Sequence, residues 1–130
     1  MNEPVWIDER QAVAINEQLV ATFGGLAGGA RDPGVLRAAL ARPLNAWHYE
    51  VQRPGLFRLA AAYAFGIARG HVFVDGNKRT AYVVAVTFLA LNGVACGPPQ
   101  PEIVEVMVRL AEGTVSEADF AGWLTTTSTF

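Results

Sequence analysis

The sequence predicts an all-α fold, a six-helix bundle, on three observations. No stretch alternates apolar and polar residues over the length of a strand. Helix starts and stops are marked by capping residues and glycines. One segment, "TAYVVAVTFLAL" from Thr80 to Leu91, is apolar around nearly its whole circumference, as a central bundle helix is. With 130 residues, 52% of them apolar, the chain is expected to form one domain over 1–130 around a single core.

Each element follows from local chemistry. Asp8 caps a first helix running to about Thr22, with Val13, Ile15, Leu19, Val20 and Phe23 on one side and Gly24-Gly25 ending it. In "RDPGVLRAAL", Asp32 is the cap and Pro33 the first helical residue of a short second helix to about Arg42. "PLNAWHYEVQRPG" reads as a loop whose aromatics, Trp47 and Tyr49, pack on the body. A third helix, Leu56 to Arg69, ends at Gly70, and a fourth, the buried central one, starts near Gly76 or Asn77 and stops at Gly93. Pro98, Pro99 and Pro101 precede a fifth helix, "EIVEVMVRLAEG", and Ser116 opens a short sixth. The tail, 125–130, is expected to fray.

Composition excludes several classes of function. The net charge of −2, with no helix gathering a row of arginines, argues against DNA binding by this chain alone. The apolar runs are broken well short of the roughly 20 residues that span a bilayer. The charged start "MNEPVWIDERQ" does not read as a signal peptide, and Cys96, the one cysteine, has no partner for an internal disulfide, so a cytoplasmic protein is expected. Two histidines and one cysteine are too few for a tetrahedral zinc site, which leaves a hard, oxygen-bound ion such as magnesium as the metal to expect.

The stretch "GHVFVDGNKRTAYVV", Gly70 to Val84, gathers the residues with chemical potential, including Lys78, the only lysine beside nine arginines. It places a loop at the start of the most buried helix, where free N–H groups and the helix dipole attract anions. Gly76 lets the backbone approach a phosphate closely, while Asn77, Lys78 and Arg79 add donors and two positive charges. Asp75 suits magnesium, or simply caps the helix. His71 suits a general base, or is simply a surface polar residue. The coincidence of these groups within ten residues points to nucleotide-dependent group transfer to a hydroxyl, achieved by positioning and charge. The glycine and lysine spacing of a Walker A loop is missing, and no strand precedes the loop.

The run "HVFVDGNKRT" resembles the signature of the Fic/Doc family, H-x-F-x-D/E-G-N-G/K-R, through His71, Phe73, Asp75, Gly76, Asn77 and Arg79. "GGLAGGARDPG" and "LALNG" also look like the Doc (death-on-curing) toxin subgroup, so the resemblance spans nearly the whole chain. AMP-transferring members have glycine at the position of Lys78 and a further arginine at that of Tyr82; both differ here. Doc-type members carry the lysine. The resemblance therefore implies a kinase that passes the gamma phosphate of ATP to a threonine of elongation factor Tu and stops translation. AMP transfer and a catalytically silent nucleotide-binding module are the alternatives.

On this resemblance His71 deprotonates the acceptor hydroxyl, Asp75 holds Mg2+, and Gly76, Asn77, Lys78 and Arg79 grip phosphates. Arg69 faces the nucleotide or closes the third helix against its dipole. The loop from Trp47 to Val51 corresponds to the family's target-binding flap. The inhibitory pattern S/T-x-x-x-E-G/N is missing: Glu112 precedes Gly113, but Val108 stands where serine or threonine is required. Restraint by a Phd-like antitoxin acting in trans is the expectation.

Overall fold

The computed structural model describes residues 2–129. The first helix, α1 (Glu9–Phe23), begins at Asp8 because that side chain accepts from the Gln11 amide while the Gln11 side chain accepts from the Asp8 amide, a reciprocal capping box. Gly24 ends it at φ +88°. Asp32 caps α2 (Pro33–Tyr49) by accepting from the Gly34 amide.

This second helix is longer than its sequence predicts. It continues through Pro43, which has no N–H to donate to the preceding turn, an omission that costs an ordinary helix about 3 kcal/mol. The compensation is tertiary. Pro43, Ala46 and Trp47 are all buried, and Trp47 meets the edge of Trp6 at 6.3 Å, which in turn stacks on Phe88 at 5.8 Å. Burying one large side chain contributes about 1.5–3 kcal/mol, enough with its neighbours to carry the helix past the proline. The expected flap thus loses Trp47 to the core, while His48 to Val51 stay exposed.

Helices α3 (Leu56–Gly70) and α4 (Asn77–Leu91) share the interior. The fourth helix is internal, as its all-round apolar sequence requires, but α3 packs on α2, α4, α5 and α6 together. Its alanines at 60, 61, 62, 64 and 68 let those neighbours approach closely. Tyr63 is fully buried within it; its hydroxyl accepts from the Ile7 amide at 2.9 Å and donates to the Ile7 carbonyl at 3.3 Å. Burial pushes the Tyr63 phenol up to about 12.

The remaining elements close the bundle: β1 (Ala95–Cys96), α5 (Gln100–Glu112), α6 (Glu117–Thr127) and β2 (Ser128–Thr129). The tail differs from the fraying expected over 125–130. Thr125 to Thr127 continue α6, Ser128 and Thr129 pair antiparallel with Cys96 and Ala95, and the Gly97 amide donates to the Thr127 carbonyl at 3.0 Å. A second edge was available to pair with, a long-range feature that the tail's own composition does not reveal. Phe130 lies outside the described residues. Among the described residues, the helices number six, and no helix is long and apolar enough to cross a membrane.

Candidate functional site

The loop between α3 and α4 is held by a strap, residues 24–31, laid across it. The Arg31 amide donates to the Val72 carbonyl at 2.9 Å and the Val74 amide to the Gly29 carbonyl at 3.0 Å, with Ala30 and Phe73 bridged antiparallel. Two glycines permit the approach. A Cβ on Gly25 would sit 2.9 Å from Asp75 Oδ2, and one on Gly28 would sit 2.8 Å from Val74 Cγ2. From the other side, buried Asn16 donates through Nδ2 to the Asp75 carbonyl at 2.9 Å and to Thr80 Oγ1 at 3.0 Å. Phe73 is fully buried and anchors the loop to the core.

Asp75 points its carboxylate at two amides. Oδ2 accepts from Leu26 N at 2.9 Å and Oδ1 from Gly76 N at 2.8 Å. The Leu26 amide first, then the Gly76 amide, and then the charge of Lys78 hold this carboxyl below its ordinary range. Asn77 is committed to the loop as well: its Oδ1 accepts from Phe73 N at 2.8 Å and its Nδ2 donates to Phe73 O at 2.9 Å. What Asn77 offers a ligand is therefore its backbone N–H at the first position of α4.

That helix end has no side-chain cap. Gly76 occupies the N-cap position at φ +73°, and the first-turn amides of α4 face out beside Lys78 and Arg79. Neither basic side chain makes an ion pair with an acid among the described residues. The Arg79 guanidinium lies 4.2 Å over the Phe23 ring. His71 is the C-cap of α3 at φ +47°, the one non-glycine residue with positive φ among those described, and its side chain is exposed.

These groups open into one cleft of about 360 Å³, lined by His71, Asp75, Gly76, Asn77, Lys78 and Arg79 on one wall. The opposite wall is the face of α5 formed by Ile103, Val104, Met107, Val108 and Ala111. That wall was legible only as helical periodicity in a segment far from the motif, so nothing in the sequence connected it with the loop. Arg69 does not line this cleft. Its guanidinium lies 5.5 Å over the Phe65 ring and against Gly113, where an added Cβ would meet Nη1 at 2.8 Å. Tyr82 is also elsewhere, half-buried 6.2 Å from Trp123.

The site fits a metal–phosphate ligand. Each Asp75 oxygen accepts one amide and keeps a further lone pair, and a single carboxylate completed by phosphate oxygens and water is how magnesium is commonly held. Among the described residues no cluster of three or more His, Cys, Asp or Glu side chains forms a closed all-protein cage.

The model of the Fic/DOC family matches residues 6–89, from just before α1 into the last turn of α4. The chain belongs to the Fic/Doc family. It is similar to "Protein kinase doc" of Escherichia phage P1, 36% identical over 118 residues that cover 91% of each chain. It is also similar to "Toxin Doc" of Mycolicibacterium smegmatis, 44% identical over 84 residues, 62% of this chain and 65% of that one. By this kinship it is a Doc-type toxin kinase, in agreement with the resemblance carried by His71 to Thr80.

Proposed function

We propose that the chain transfers the gamma phosphate of ATP to a threonine hydroxyl of elongation factor Tu, in the cytoplasm, and so arrests translation. The observation that carries this reading is the uncapped N-terminus of α4 with Lys78 beside it, opening into the same cleft as His71. Unsatisfied amides and a point charge suit a phosphate chain, and an exposed imidazole at the rim suits an acceptor hydroxyl.

In the proposed step His71 takes the proton of the acceptor hydroxyl as its oxygen attacks the gamma phosphorus. The bond from that phosphorus to the bridging oxygen breaks, and ADP leaves. The first-turn amides of α4, including that of Asn77, with Lys78 and Arg79, hold the phosphates in line and offset the charge that develops on them. Mg2+, held by Asp75, would supply further charge neutralisation. Arg69 is left out of this assignment because its guanidinium is stacked on Phe65 beside Gly113.

A lysine side chain at 78 crowds the place where an AMP-transferring relative would need glycine, and Tyr82 brings no charge to the cleft. Restraint by a Phd-like antitoxin in trans belongs to the same proposal, since the chain lacks the internal inhibitory pattern.

The test offers elongation factor Tu to the protein with ATP labelled on the alpha or on the gamma phosphate. Gamma label on a threonine is expected. Alpha label on the target would replace the kinase reading with AMP transfer, and both labels remaining in the nucleotide would replace it with a silent binding module.

A further inference from the structure

We infer that Phe23, outside the signature and not assigned above, is a positioning residue for the Arg79 guanidinium in nucleotide binding. This inference rests on the reading of the cleft as an ATP site. Phe23 is the last residue of α1 and is 56% exposed, so core burial does not account for an aromatic side chain there. What it does touch is Arg79, whose guanidinium lies 4.2 Å over its ring.

Arg79 lines the cleft and is exposed, and its guanidinium makes no hydrogen bond or ion pair among the described residues. A long cationic side chain without such partners samples many rotamers and loses that freedom when it grips a phosphate. The ring restricts it beforehand. A cation over an aromatic face is held by the ring's quadrupole and keeps its N–H edge free to donate, which an acidic partner would not allow. The chain geometry is set for this contact: Gly24 stops α1 at φ +88°, leaving Phe23 beside the first turn of α4, and the strap that follows returns to Asp75 through Leu26. One short segment thus supports both the acid and the arginine of the signature.

The experiment titrates ATP with magnesium into the full chain, without an acceptor, by calorimetry, for wild type, Phe23→Ala, Phe23→Leu and Phe23→Tyr. The same Phe23 substitutions are repeated on Arg79→Ala, with unfolding midpoints recorded throughout. Phe23→Ala and Phe23→Leu should both weaken ATP binding about two- to fivefold, the size of an exposed cation–π contact, while Phe23→Tyr stays near wild type. On Arg79→Ala the Phe23 substitutions should have no further effect. Full binding by Phe23→Leu would reduce the contact to ordinary packing and overturn the inference. A loss that persists on Arg79→Ala would also overturn it, by assigning the ring to the nucleotide itself. Wild type that binds no ATP would overturn the donor reading and this inference together, whereas wild type that binds while every Phe23 variant matches it would overturn this inference alone.

Discussion

The carboxylate of Asp75 accepts a hydrogen bond from the backbone of Leu26 at 2.9 Å, across 49 positions of sequence. The signature acid is therefore oriented by a glycine-rich strap outside the signature, and the strap is as much a part of the site as the loop it holds.

The strap can be tested at Gly25. Its φ of +130° and the 2.9 Å approach of Asp75 Oδ2 to a Cβ leave no room for alanine, so Gly25→Ala should lower stability by about 1–3 kcal/mol in urea denaturation. Its effect on phosphate transfer should exceed that of an equally destabilising core change, because it displaces Asp75. Gly122→Ala is the control. That glycine lies within α6, nothing stands within 4 Å of its added Cβ, and the change should raise stability by about 0.5–1 kcal/mol without touching transfer.

Asp75 should also shape the acid limb of stability. Its folded carboxyl is held below the ordinary value of 3.8, so its contribution is present above that value and is lost as pH falls through the lower, folded one. Urea midpoints measured from pH 6 downward should fall below about pH 4. Asp75→Asn should show a shallower fall over the same interval. An unchanged acid limb in that variant would contradict the pair of amide contacts.

His71 combines a strained backbone with the proposed role of base. At φ +47° a side chain costs roughly 1 kcal/mol relative to glycine. His71→Gly should therefore unfold at a slightly higher denaturant concentration than wild type while losing transfer by about 10²–10⁴-fold. His71→Ala should lose transfer equally and gain no stability. Wild-type growth arrest by either variant would contradict a catalytic imidazole.

Tyr63 gives the alkaline counterpart. Its phenol is raised to about 12 by burial, so the folded state favours the neutral form and loses stability as pH rises from the ordinary value of 10 towards 12. Tyr63→Phe should remove that alkaline loss. At neutral pH it should cost about 1–3 kcal/mol, since the Ile7 amide is left without its acceptor.

One wall of the candidate cleft was legible in advance because the signature is local. His71, Asp75, Gly76, Lys78 and Arg79 lie within nine positions, and the chain from one end of a loop to the first turn of a helix cannot separate them widely. Arg69 shows the limit of such reasoning. It stands two residues before His71 in sequence, yet its helical position turns it onto Phe65 and out of the cleft. Asn77 shows another limit: its side chain was expected at the ligand, but both ends of its amide are bonded to Phe73.

By itself the sequence determined the helical class, the starts of α1, α2 and α6 at Asp8, Asp32 and Ser116, and the signature residues at the head of α4. Those features rest on hydrogen bonds and conformational preferences within three or four residues, so composition and spacing suffice to specify them. Only the tertiary structure decided that α2 runs through Pro43, that Ser128 and Thr129 pair with β1, that α5 forms the far wall of the cleft, and that Phe23 lies under Arg79. Each of these depends on residues distant in sequence meeting in the fold, where burial or a shared hydrogen bond outweighs what the local chain prefers.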